Sequence, residues 1–162
     1  MNISKNNIIP NAYFIVSGAG SGSSELNAFD FALLDSGLGN LNLVRMSSIL
    51  PPSAAKIEPY KISYGSLVPV AYAYQVSNRI GETISAAITI AFPTDKTLPG
   101  LIMEYSGLNK SADFAEKRAV KMATEGIRGR GWNVDHVESI SRQMTVDRDF
   151  AAVFAAVTLC YI

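Results

Sequence analysis

Three sets of side chains in this sequence stand where their chemistry would matter. Ser47 and Ser48 follow the extended run Asn42-Leu-Val-Arg-Met46 and precede Ile49-Leu50-Pro51-Pro52. Hydroxyl residues commonly close strands and open turns; the sharper reading is a hydroxyl that attacks the neighbouring carbonyl and cuts the chain at that point. Glu104 interrupts the apolar run Gly100-Leu-Ile-Met-Glu-Tyr105. Burial there would favour its protonated form and make it a proton donor near neutrality, whereas a strand-end position would turn it to solvent. Asp30 and Asp35 lie in Phe29-Asp-Phe-Ala-Leu-Leu-Asp35. Helix acids ordinarily face water, but Phe29, Phe31, Leu33 and Leu34 leave little polar surface around them, so at least one is a candidate ligand for a cation.

Other motifs point elsewhere and fall short. The run Gly18-Ala-Gly-Ser-Gly-Ser-Ser24 after a strand invites a dinucleotide-binding reading, since a glycine turn at a helix N-terminus cradles a pyrophosphate. Position 23 is Ser, however, and the next strand ends in Arg45 and Met46 rather than an acid, so the run reads as a flexible loop. His136 is the only histidine and Cys160 the only cysteine. They furnish neither a triad with a GxSxG elbow nor the usual thiolate and imidazole zinc site, and no metal is expected.

These residues need a scaffold. With 162 residues, 48% hydrophobic and 17% charged, the chain supports one core, and a single domain over residues 1–162 is expected. Fourteen Lys and Arg balance fourteen Asp and Glu, which argues against a nucleic-acid partner. A lone Cys160 precludes an internal disulfide and fits a reducing compartment. The absence of a leader-like start and of any apolar run near ~20 residues leads us to expect a cytoplasmic protein without a membrane span.

A strand is expected over 12–17, then the glycine loop, then a helix capped by Ser24, ended by Gly37 and buried through Leu26, Phe29 and Leu33. The double proline at 51 and 52 forces the chain out of any strand. Residues 66–77, 83–92 and 100–105 read as strands of one sheet region. A second helix opens at Ser111, with Phe114, Ala115, Ala119, Met122 and Ala123 inward and Glu116, Lys117, Arg118, Lys121 and Glu125 in water. Two last strands follow, over 132–146 and 151–161, the second apolar enough to be central. Strands outnumber helices and follow one another, so the class is α+β with mainly antiparallel pairing.

The stretch from Phe29 to Pro52, with Gly81-Glu-Thr-Ile-Ser-Ala-Ala87, Gly100-Leu-Ile-Met-Glu-Tyr105, Arg130-Gly-Trp132 and the alanine-rich last strand, resembles the pyruvoyl-dependent arginine decarboxylases over nearly the full chain. That resemblance implies a four-layer αββα sandwich and a homotrimer with active sites between protomers. It implies self-cleavage between Ser47 and Ser48 into a β chain, 1–47, and an α chain, 48–162, whose terminal pyruvoyl derives from Ser48. It further implies that this group forms a Schiff base with L-arginine, that carbon dioxide leaves, and that agmatine is the product, for polyamine synthesis or acid resistance. By the same resemblance Asn42 stabilises the oxyanion of the cleavage step and Glu104 reprotonates the substrate carbon. Asp30 binds the guanidinium, and Leu33 and Ser47 line the pocket. A pyruvoyl decarboxylase of another amino acid and an uncleaved interaction trimer are the alternatives.

Overall fold

The computed structural model describes residues 8–162. Its elements in chain order are β1 (Ala12–Gly22), α1 (Glu25–Asp35), β2 (Asn42–Arg45), β3 (Ile49–Leu50), β4 (Ala55–Lys56), β5 (Leu67–Ser77), β6 (Thr83–Pro93), β7 (Gly100–Leu108), α2 (Ala112–Gly129), β8 (Val134–Thr145) and β9 (Phe150–Cys160). One sheet has the order β2-β5-β9-β1-β4 and the other β3-β7-β6-β8. The sheets pack face to face, α1 covers the first and α2 the second. The result is a four-layer αββα sandwich, antiparallel except for the short β1–β4 and β2–β5 pairings.

The nearly all-apolar last strand takes the central place its sequence predicts. Ala151 to Cys160 are all buried, because β9 pairs with β1 and β5 on its edges and lies under α1 on one face and the second sheet on the other. Ser24 and Ser111 cap the two helices as expected, each accepting a hydrogen bond from the backbone N–H three residues on.

The glycine run is not a loop. β1 continues through Gly22 in unbroken register with β9, and the glycines of that run clear a path for α1. A Cβ built on Gly18 would stand 2.1 Å from the Ala32 carbonyl oxygen, one on Gly20 2.6 Å from the Ala32 nitrogen, and one on Gly22 2.7 Å from the Ala28 nitrogen. The helix faces this stripe with Ala28 and Ala32, both fully buried. With the backbones so close there is no mobile glycine turn to hold a pyrophosphate. Gly18→Ala should therefore cost about 1–3 kcal/mol and lower the melting temperature by roughly 5 °C. Gly129→Ala, where a Cβ would meet nothing within 4 Å, should leave it unchanged or higher in the same thermal scan.

Three other expectations change. Residues 66–105 do not form one sheet: β5 lies in the first sheet, whereas β6 and β7 lie in the second. The β5–β6 connection crosses the layers, and buried Glu82 pins it by accepting from Ser77 Oγ and Asn109 Nδ2. In α1, Leu26 is 76% exposed, since Ala28 and Ala32 take the contact with β1. In α2 the buried line is Ala115, Ala119, Ala123 and Ile127, while Phe114 is 39% exposed. Glu116, expected in water, instead accepts from Ser139 and Ser141 of β8 at 2.7 and 2.6 Å.

Candidate active site

The serine pair is where the chain changes sheets. β2 runs along the edge of β5, and its last backbone anchor is Met46, whose N–H donates to the Val70 carbonyl at 3.1 Å. The next anchor is on the opposite sheet, where the Ser48 carbonyl accepts from Ile102 N–H of β7 at 2.8 Å. The Ser47–Ser48 peptide thus spans the two layers, with β3 beginning immediately after it and ending before Pro51. Ser47 is exposed and Ser48 partly buried.

A three-residue turn closes around Ser48, the Ile49 N–H donating to the Ser47 carbonyl oxygen at 3.1 Å. A donor aimed at that oxygen polarises the carbonyl that the Ser48 hydroxyl would attack, and it can stabilise charge developing there. Sequence reading overlooks this N–H, since every residue but proline carries one. Asn42 is held elsewhere: its Nδ2 donates to the Gly65 carbonyl at 2.7 Å. At ~3.3 Å per residue along β2, the Asn42 amide does not reach the Ser47 carbonyl of the same chain.

Glu104 converges on the same edge. It lies two residues beyond Ile102 on β7, so it shares the face that looks into the inter-sheet layer, where Ile102 and the cross-strand neighbour Ile88 are both buried. Its surroundings combine the two readings the sequence leaves open, an apolar inner face and a partly exposed, polar outer side. Glu104 Oε1 accepts from Arg45 Nη2 at 3.0 Å, with the two side chains 32% and 50% exposed. The same Nη2 donates to the Tyr72 carbonyl at 3.0 Å, and the guanidinium lies 4.5 Å from the Tyr72 ring centroid. The hydrogen bond to Glu104 is the largest cause holding the Arg45 pKa above its ordinary value.

The helix acids separate into two kinds. Asp35 Oδ2 accepts from Ala19 N–H at 2.9 Å and from Arg142 Nη2 at 3.3 Å, tying α1 to β1 and β8. Asp30 is exposed on α1, and among the described residues no hydrogen bond or ion pair engages it. Leu33 is half-buried between α1 and the first sheet.

Between α1 and β5, a cleft of about 310 Å³ is lined by Glu25, Leu26, Phe29, Tyr72, Tyr74 and Val76. Phe29 packs on Tyr74 with ring centroids 4.9 Å apart. Tyr72 links this cleft to the Arg45–Glu104 pair. A larger cleft of about 400 Å³, near Leu38 and Tyr60, contains none of these groups. His136 is exposed, stacked on Phe92 at 4.3 Å and hydrogen-bonded to Asp135.

The family model for pyruvoyl-dependent arginine decarboxylase matches residues 12–162. Curated relatives agree along the chain. The Pyruvoyl-dependent arginine decarboxylase of Methanocaldococcus jannaschii is 49% identical over 153 residues, covering 94% of this chain and 92% of that protein. The protein of that name from Methanococcus maripaludis is 49% identical, over 94% of this chain and 92% of its own length. The one from Pyrococcus furiosus is 40% identical, over 95% and 98%. A match of this extent, on a sandwich whose sheets are joined through a Ser-Ser peptide, places the chain in the pyruvoyl-dependent arginine decarboxylase family.

Proposed function

We propose that this protein cleaves itself between Ser47 and Ser48 and then decarboxylates L-arginine to agmatine and carbon dioxide. The observation that carries the reading is the Ser47–Ser48 peptide held between the sheets, with its carbonyl already hydrogen-bonded and Glu104 on the strand that anchors it. In the first step the Ser48 hydroxyl attacks the Ser47 carbonyl, so an ester replaces the amide. Elimination then releases the Ser47 carboxylate and leaves a dehydroalanine, which hydrolyses to pyruvoyl with loss of ammonia.

The site suits such a group. Residue 48 is partly buried against β7. After the cut Met46 stays bonded to β5 and residue 48 stays bonded to β7, so the new terminus keeps its place. The pyruvoyl group supplies an electron-accepting carbonyl for the substrate amine. The chain's own residues do the rest. Glu104 delivers a proton to the substrate α-carbon after carbon dioxide leaves. Asp30, the unengaged acid, takes the guanidinium through a paired charge-assisted contact, and Leu33 and Ser47 line the path. Asn42, which does not reach the Ser47 carbonyl of its own chain, serves the oxyanion of the cleavage step in a neighbouring protomer of the trimer. A homotrimer with its active sites between protomers brings Asp30 to the reacting end, and the working compartment is the cytoplasm.

Denaturing intact mass is the direct test. Chains matching residues 1–47 and 48–162, the larger lighter by one ammonia than its sequence, should appear together with carbon dioxide release from arginine. Asp30→Asn should raise the arginine KM by about tenfold or more, since one ion pair with a planar cation is lost. A single uncut chain without activity would favour the interaction-trimer reading. An unchanged KM, or better turnover of an amino acid lacking a guanidinium, would remove Asp30 and arginine from the assignment.

A further inference from the structure

Arg45 occupies the point where β2 stops. On the free edge of β5 the Val70 carbonyl is taken by Met46 N–H, and the next outward carbonyl, that of Tyr72, would need the backbone donor of a longer β2. The chain has by then turned toward the second sheet, and the Arg45 guanidinium supplies that donor instead. It is therefore anchored on the first sheet by a backbone carbonyl and an aromatic face before it reaches across to Glu104. Among the described residues it is the only ion-pair partner of Glu104. Ile88 of β6 stands opposite Glu104, and α2 packs the other face of β7 through Leu101 and Met103.

We propose that Arg45 is a positioning residue that fixes the Glu104 carboxyl and thereby decides which carbon receives the proton after carbon dioxide leaves. The inference rests on the reading of Glu104 as proton donor. Two carbons separated by one nitrogen compete for that proton: the substrate α-carbon and the carbon derived from Ser48 Cα. Delivery to the α-carbon breaks the O–H bond of Glu104 and forms a C–H bond with the electron pair left by the departing carboxylate; uptake of the water lost when substrate and ketone joined then restores the ketone and releases the amine product. Delivery to the other carbon leaves the nitrogen on the protein. The water lost when substrate and ketone joined is taken up again, the substrate departs as an aldehyde, and the larger chain is left with an N-terminal alanine. A glutamate side chain has several staggered rotamers, and a half-exposed acid without its anchored partner would sample them. Arg45 selects one.

The test follows the processed enzyme through turnover with excess arginine. In the wild type the larger chain keeps its pyruvoyl mass over many turnovers. In Arg45→Met, kcat should fall on the order of tenfold, short of the ~100-fold that a 1 Å misplacement can cost, because the pair is partly solvent-exposed. KM should stay within about twofold. The fraction of turnovers that end with an N-terminal alanine in the intact-mass spectrum should rise about tenfold, with the aldehyde appearing in step.

Arg45→Lys should fall between the two, since a compact ammonium keeps the charge but lacks the planar fork that spans carbonyl and carboxylate. It also carries the test if Arg45→Met is not cleaved. An unchanged alanine fraction in every processed variant overturns the proposal, as does a failure of both variants to cleave, which would assign Arg45 to processing. Turnover that survives Glu104→Gln would refute the donor assignment itself, a separate failure.

Discussion

Ser48→Ala should yield a single full-length chain that releases no carbon dioxide from arginine. The Met46 and Ile102 anchors and the Ile49 N–H are backbone groups, so the bridge between the sheets persists in this variant and only the attacking oxygen is gone. Ser47→Ala is the informative partner. It keeps both the carbonyl proposed to be attacked and the Ser48 hydroxyl, so it should still cut, giving the 1–47 and 48–162 fragments. Intact mass reads both results directly, and circular dichroism checks that each variant is folded. Two fragments from Ser48→Ala would move the cleavage site away from this peptide. An uncut Ser47→Ala would mean that the exposed Ser47 side chain itself takes part, as base or as donor.

That bridge shows where sequence is informative and where it is not. The double proline and the strand before it mark a forced exit at residues 47–50, because proline cannot donate to a ladder. Nothing local states that the exit leads to the opposite sheet: that depends on β3 finding Gly100 and Leu101 of β7, about a third of the chain away. The central place of β9 is legible because a strand covered on both faces has to be apolar throughout, and the serine caps are legible because a cap is a local hydrogen bond.

The glycine run misleads for the opposite reason. Its composition signals a turn, and the same residue type serves a strand that a helix approaches to backbone contact; which use applies is decided by Ala28 and Ala32 across the gap. Glu116 is misread because its partners, Ser139 and Ser141, lie on β8 beyond the helix. Arg45 carries no motif and pairs with an acid 59 positions away. The candidate residues thus stand out by type and order, whereas the groups placed beside them, an ordinary backbone N–H and a distant arginine, become visible only in the folded chain.

Glu104→Gln should cut normally and turn over slowly. Glutamine is nearly isosteric with glutamate and its carbonyl oxygen still accepts from Arg45 Nη2, so the inter-sheet edge keeps its geometry. The proposed cleavage step needs the Ser48 hydroxyl and the Ile49 N–H, and Glu104 is hydrogen-bonded to neither in this structure. The amide, however, has no acidic proton to deliver to carbon. Loss of a general acid is worth about 10²- to 10⁴-fold, and it should appear in kcat with KM changed by no more than about threefold, because the interaction removed belongs to the transition state. Steady-state carbon dioxide release alongside intact mass separates the two steps in one preparation. Unaltered kcat would take Glu104 out of the reaction, and the anchored Arg45 would then have to be explained by the ion pair alone, a contact between partly exposed groups worth about 1 kcal/mol or less. A variant that fails to cut would instead give Glu104 a part in making the cofactor, acting on the Ser48 hydroxyl from the strand that already holds its carbonyl.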